Sequence, residues 1–282
     1  MKGFINLIKP EGMSSAYAVG AVKYKFKTPC GHMGTLDPMA SGVLPVGIGK
    51  TSRMFPFLLD KSKTYLATFK FGYMTDTLDK TGVITDTTDK IPTEQEIKDA
   101  LPKFLGEIQQ VPPKYSAKCV NGKRGYWLSR HGIDFELEPR TVNIYKFEMT
   151  NKISDDEYEF EIECGGGTYI RSLGRDLGLI LSSFATMTKL ERTKSGIFDL
   201  SNGVTLEEFK ASANPEQYII PSENAVNFEK IVLTNAQATK ILDGVFSNYG
   251  YPDGFYRVFN EKEFWGIGES KDGILKIKAY VR

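Results

Sequence analysis

A chain of 282 residues, 41% of them hydrophobic, is long enough for one sizeable domain and a small second one. No apolar run approaches the roughly 18 to 20 residues that cross a bilayer, and MKGFINLIKPEG lacks the apolar core and cleavage site of a secretory signal, so a cytoplasmic protein is expected. Three cysteines (Cys30, Cys119, Cys164) without C-x-x-C spacing and two distant histidines (His32, His131) argue against a disulfide framework and against a zinc or histidine-rich centre.

The net charge of +1 is unlike that of a dedicated polyanion binder, but charge is laid down in blocks. Residues 1–70 carry 10 basic and 3 acidic side chains, residues 71–110 carry 4 and 8, residues 111–146 carry 7 and 3, and residues 147–163 carry 1 and 7. A basic face assembled from the first and third blocks would suit a phosphate backbone. Ordinary solvated surface produces the same runs.

In chain order, the first informative segment is GHMGTLDPMASGVLPVGIG, Gly31 to Gly49. It places one acid, Asp37, among glycines that permit close backbone approach or positive φ, with His32 five residues upstream. Pro38 biases Asp37 away from helical geometry, which favours an acid held in a turn and facing a cleft. The same residues also read as an N-cap aspartate before an N1 proline, and spacing alone does not separate the two. Strands are predicted over Tyr65–Tyr73, Val142–Met149 and Asp156–Cys164, where Tyr158, Phe160, Ile162 and Cys164 alternate with acids. Helices are predicted over Thr93–Leu105 and Tyr169–Leu181. Mixing without a βαβ rhythm favours an α+β domain on a mainly antiparallel sheet. Between Lys210 and Val226 the amphipathic period is lost, so a boundary is placed there. Residues 1–225 form the expected main domain; residues 228–282, with a short helix over Asn235–Leu242 and glycine-punctuated apolar runs, form a small β-rich one.

GHMGTLDPMASGVLP resembles the central motif of the bacterial tRNA pseudouridine synthases of the TruB family, in which the aspartate of G-T-L-D-P is catalytic. Three more stretches are similar to that family: INLIKPEGMSS (Ile5 to Ser15), KTYLATFKFGYMTDTLDKTG (Lys63 to Gly82) and GGGTYIRSLGRDLG (Gly165 to Gly178). The four ordered motifs span most of the first two hundred residues; Met33 departs from the small residue frequent after the histidine. The resemblance implies a pseudouridine synthase fold with a mainly antiparallel mixed sheet and a PUA-like C-terminal domain, although the tail matches only loosely.

It also implies a reaction and a set of residues. Pseudouridine formation breaks the C1′–N1 bond of uridine, rotates the base and forms C1′–C5, with no cofactor and no metal. A carboxylate can add to C6 of the base or attack C1′, so Asp37 is the implied nucleophile and both routes stay open. A base within reach, directly or through one water, must also remove the C5 proton. Tyr65 is carried over to the face of the target base, where pattern alone reads it as a packed strand aromatic. Tyr169 is carried over to the pocket wall, and Arg171 to a pairing with the aspartate, where pattern alone reads a solvent-facing helix residue. His32 is assigned to stacking on the extruded base or contacting a neighbouring nucleotide, against a structural role; Lys9 is assigned to site architecture or a phosphate.

Residues 111–140 interleave Lys114, Lys118, Lys123, Arg124 and Arg130 with Tyr115, Tyr126 and Trp127. They suit RNA or an ordinary surface hairpin, and resemble the insertion by which stand-alone bacterial enzymes grip the T-arm of tRNA. That implies tRNA as partner, no guide RNA, no membrane, and a monomer, acting on the T-loop uridine at position 55 of standard tRNA numbering after flipping it out. Two rivals stand beside this reading. GVLPVGIGKTS ends like a phosphate-binding loop, but the first glycine of G-x-x-x-x-G-K-[ST] would fall at Leu44, and no Mg²⁺-binding acid follows at the end of an apolar strand. A non-catalytic RNA-binding or RNA-folding protein could keep the same fold; retention of the acid, tyrosines and arginine argues against it.

Overall fold

The strict alternation around residue 160 folds as the strand Glu157–Cys164, with Tyr158, Phe160, Ile162 and Cys164 buried and the acids on the opposite, partly solvated face. The structure, a computed structural model, describes residues 2–58, 62–116, 119–120, 122–245 and 247–282, without the side chains of residues 119, 120, 123, 124, 126 and 130. Lys118 and the side chains of Lys123, Arg124, Tyr126 and Arg130 therefore lie outside the described residues. By internal contacts the chain divides into two units, residues 62–194 and residues 1–61 with 195–282.

In the first of these units, Gly106–Gln110, Arg140–Lys152, Glu157–Cys164 and Lys63–Phe71 are successive antiparallel neighbours. The register pairs Arg140 with Gln110, and Tyr65 with Ile162. The predicted strand Tyr65–Tyr73 begins two residues earlier and breaks at Gly72, whose φ of 102° few other residues adopt. The predicted helix Thr93–Leu105 is an α-helix over Glu94–Ala100, opened by a Thr93/Glu96 capping box, and then a 3₁₀ turn over Leu101–Phe104. Pro102, lacking an N–H, explains the switch.

Behind this sheet lies the helix Ile170–Ile180, which buries Leu173, Leu177 and two glycines. A Cβ on Gly174 would sit 2.7 Å from the Phe69 ring, which is itself locked between Phe160 (5.2 Å) and Phe147 (6.5 Å). Gly174→Ala is therefore expected to destabilise by about 1–3 kcal/mol through overpacking, less up to ~1 kcal/mol returned by the better helix propensity of alanine. A lowered urea midpoint at unchanged m-value would show it.

In the other unit, Gly3–Lys9 pairs antiparallel with Ser41–Ile48 in the register Leu7 to Leu44 and Lys9 to Gly42. Val204–Thr205 adds in parallel on one side, and Cys30–His32 adds antiparallel to the second strand. Helix Ser15–Phe26 starts on the Ser14 side chain, which accepts from Tyr17 N, and ends at Lys27 in the left-handed region (φ 48°). The non-periodic stretch after Lys210 forms 3₁₀ turns at Pro215–Tyr218 and Ser222–Ala225, with Ile220–Pro221 between them paired to Gly3–Phe4.

The C-terminal sheet runs Glu229–Leu233, Gly254–Asn260, Glu263–Lys271 and Ile274–Tyr280 in sequence order, the first pair parallel and the others antiparallel. Helix Asn235–Leu242 matches its predicted span and is capped by Thr234 and Gln237. Val258, Trp265 and Leu275 form this sheet's own core, while Phe259, Ile267 and Val281 belong to a second core with Phe4, Val43 and Phe198. The fold is the expected α+β class: mainly antiparallel mixed sheets with a C-terminal β-rich part.

Candidate active site

Asp37 does not cap a helix. Ala40 N donates to the Asp37 carbonyl (3.0 Å), which closes a turn with Pro38 and Met39 at its centre, so the turn reading of the D-P pair is the one the chain adopts. The loop is pinned from several sides. Met33 N donates to Pro45 O (3.0 Å); the Ser15 hydroxyl both donates to Leu36 O and accepts from Leu36 N, at 2.8 Å each. Gly12 N donates to Pro38 O (2.8 Å). The half-buried Asp37 thus sits between two backbone positions, Leu36 and Pro38, that the INLIKPEGMSS motif holds directly.

Lys9 completes that hold. Its side chain is 0% exposed, and its ammonium donates to the carbonyls of Pro10 (2.8 Å), Met13 (2.8 Å) and Pro38 (3.4 Å). Of the two roles carried over for Lys9, this geometry fits architecture. A buried ammonium is tolerated only with such partners. Lys9→Met is expected to cost about 2–3 kcal/mol, the scale of hydrogen bonds to a charged group, and to slow catalysis more than it weakens RNA binding. Chemical denaturation beside single-turnover rates checks both.

His32 ends the short strand Cys30–His32 opposite Val46 and is half-buried. The glycines of this segment divide in use. Gly34 adopts φ 79° in the loop, whereas a Cβ on Gly47 would meet Ser52 N at 2.7 Å, so Gly47 serves packing rather than a ligand. The phosphate-loop rival fails here too. Gly49 N donates to Pro29 O (2.7 Å), and Lys50 and Thr51 lie on a 3₁₀ helix, with Thr51 buried.

In the other unit, Tyr65 is 7% exposed, on the strand face shared by Ala67, Phe69 and Phe71. Tyr169 is the N-cap residue of helix Ile170–Ile180 and is half-buried. Arg171, 6% exposed, is not a solvent-facing helix residue. Its guanidinium donates to Thr77 O (2.7 Å) and Tyr115 O (3.0 Å) and lies 3.6 Å from the Asp79 carboxylate.

Asp79 is a residue that sequence reasoning missed. It is buried, and its Oδ1 accepts from Thr77 Oγ1 (2.9 Å), Thr81 N (2.9 Å) and Thr81 Oγ1 (2.5 Å). The preceding Leu78 is buried at φ 63°, a left-handed conformation that costs about 1–2 kcal/mol for a side chain with a Cβ. Bonds from Leu78 N to Thr75 O, from Met187 N to Leu78 O and from Lys80 N to Met187 O hold the loop in that shape. The signal available beforehand was an acid in a threonine-rich, glycine-ended loop, TDTLDKTG.

Burial pushes the Cys164 thiol up to about 11, and burial also raises that of Cys30, so neither is an activated thiolate. Among the described residues no group of three or more His, Cys, Asp or Glu side chains is placed to hold a metal ion. No helix among them is long and apolar enough to cross a membrane.

One unit thus holds a carboxylate on a turn fixed through its main chain, and the other holds a buried arginine two residues after a helix-capping tyrosine. Residues 23–170 match the TruB family pseudouridylate synthase N-terminal domain, and residues 171–227 match the tRNA pseudouridylate synthase B C-terminal domain. The chain is 38% identical to tRNA pseudouridine synthase B of Clostridium kluyveri over 100% of both chains, and 38% identical to that of Aquifex aeolicus over 99% of both. It therefore belongs to the TruB family of pseudouridylate synthases, which are isomerases. Among solved structures, it resembles a chain of an H/ACA ribonucleoprotein bound to a substrate RNA containing 2′-deoxyuridine, with TM-score 0.71 and 24% identity over 99% of this chain and 85% of that one. A chain of a Cbf5–Nop10–Gar1 complex is similar with TM-score 0.68 and 27% identity, over 98% of this chain and 79% of that one.

Proposed function

We propose that this protein isomerises the T-loop uridine of tRNA, position 55 in standard numbering, to pseudouridine, with Asp37 as nucleophile. The observation that carries the reading is the Asp37 turn, pinned through backbone atoms by Lys9, Gly12 and Ser15 while the carboxylate itself is the loop's one acid. A nucleophile held this way is oriented before substrate arrives, and orientation is the part of the barrier that a protein without cofactor can remove.

The target base must first leave the RNA stack, at a cost of a few kcal/mol. Asp37 then attacks C6 or C1′, the C1′–N1 bond breaks, and the base rotates and rejoins through C5 as the bond to Asp37 is broken; the C5 proton is lost to a base within reach, and N1 takes up a proton from solvent. Tyr65 packs against the face of the flipped base, Tyr169 lines its pocket, and Arg171 pairs with and orients the Asp37 carboxylate. His32 contacts the flipped base or its neighbour. The reaction rearranges one uridine and consumes nothing, so no cofactor is required.

The insertion over residues 111–140 grips the T-arm, and it does so without a guide RNA. Trp127, 39% exposed and stacked on His131 with centroids 4.0 Å apart, offers the aromatic surface such a grip uses. Residues 1–225 act as the catalytic domain and residues 228–282 as a PUA-like C-terminal domain, in a monomer working in the cytoplasm. The test is purified protein alone with unmodified tRNA transcript: pseudouridine confined to the T-loop position is expected. Product only when a guide RNA is supplied, or at another position, would overturn the assignment.

A further inference from the structure

Gln110 and Arg140 are cross-strand partners at the two ends of the insertion, where side chains directly opposite each other share one face of the sheet. Both reach the same residue. Tyr169 N donates to Gln110 Oε1 (2.8 Å), and Gln110 Nε2 donates back to Tyr169 O (3.1 Å). The Arg140 guanidinium lies over the Tyr169 ring, 5.6 Å from its centroid. Tyr169 caps its helix without a side-chain hydrogen bond of its own, so the usual local fixing of an N-cap residue is missing, and the Gln110 amide supplies it from across the sheet. Just beyond, Val111 O accepts from Ser172 Oγ (2.9 Å) and Arg175 Nη2 (3.0 Å), which ties the next residue to the first turns of the same helix.

We propose that Gln110, with Arg140, is a positioning residue: the stem of the insertion sets the peptide and ring of Tyr169, and so the wall of the base pocket. The inference rests on the pocket role given to Tyr169 above. Gln110 is 0% exposed and does not reach RNA, so its effect is on the chemical step and not on docking.

The test is single-turnover pseudouridine formation and tRNA affinity for the full-length protein carrying Gln110→Ala, Gln110→Glu, Tyr169→Ala and the Gln110/Tyr169 double change. Gln110→Ala is expected to slow the reaction about 10- to 100-fold, the scale of a misplaced reacting group, with tRNA Kd unchanged within a few-fold. Gln110→Glu carries the test if the alanine variant does not fold. Its neutral carboxyl both donates and accepts as the amide does, while its carboxylate faces Tyr169 O with no proton. Burial raises a carboxyl pKa while the Arg140 guanidinium on the same face lowers it, and with either balance the rate relative to wild type is expected to rise as pH falls through the ionisation of that carboxyl. In the Tyr169→Ala background, Gln110→Ala is expected to add little.

A flat relative rate across pH, or fully additive losses, would make Gln110 merely structural and overturn the inference. Slow Tyr169→Ala beside full-rate Gln110→Ala would overturn it and leave the Tyr169 role standing. Tyr169→Ala at full rate would remove that role, and the inference with it.

Discussion

Asp37→Ala is expected to lower the single-turnover rate of pseudouridine formation by on the order of 10⁴-fold or more, as removal of a nucleophile does, with tRNA affinity unchanged within a few-fold. The loop geometry makes this separation possible. The bonds from Lys9, Gly12, Ser15 and Ala40 end on main-chain atoms of Leu36, Asp37 or Pro38, and these bonds do not depend on the carboxylate. Asp37→Asn, which keeps the volume and loses the charge, should be as inactive. Parallel loss of binding and rate in both variants would instead make Asp37 a docking residue, and would favour an RNA-binding protein that keeps the fold without the reaction.

Arg171→Met should be the second most damaging change, and its effect should divide into stability and rate. Removing the guanidinium leaves Thr77 O and Tyr115 O without that donor and leaves the Asp79 carboxylate buried without its cation. Breaking a buried pair from one side costs about 3–5 kcal/mol, which a urea midpoint would report. The rate should fall by about 10²- to 10³-fold, the scale of losing one preorganised electrostatic group. Adding Asp79→Asn to Arg171→Met should restore part of the stability, because the orphaned charge is gone, but none of the rate. Recovery of both would reduce Arg171 to a structural ion pair.

The elements that were legible in the sequence are those whose signal is local. Tyr158 to Cys164 alternates at period two, and the Thr93 and Thr234 caps each sit three residues before a Glu or Gln, so these spans came out within a residue or two. The D-P pair at residues 37–38 was ambiguous for a physical reason: proline's fixed φ suits both the first turn of a helix and position i+1 of a reverse turn, and only the Ala40 to Asp37 bond decides.

What stayed illegible depends on distant partners. Gln110 closes the strand Gly106–Gln110, and the Tyr169 backbone it serves is 59 residues away. Asp79 reads as one more acid in an acidic block, and the buried cation beside it, Arg171, arrives on another element. Arg171 itself breaks the apolar period of its helix, so pattern placed it in solvent, whereas two carbonyls and a carboxylate hold it inside. Lys9 was singled out, but its partners were not legible for the same reason: they are the carbonyls of Pro10 and Met13 in the loop that follows it and of Pro38 in the Asp37 turn.

The central claim is best tested by tritium release from unmodified tRNA transcript labelled at C5 of uridine. Three reactions suffice: wild-type protein, Asp37→Ala, and wild type on a transcript whose T-loop target is cytidine. The expected result is release by wild type alone, on the intact transcript alone, since forming C1′–C5 must expel the C5 proton. An intact transcript that the protein binds without releasing tritium, or release that persists in Asp37→Ala, would contradict it.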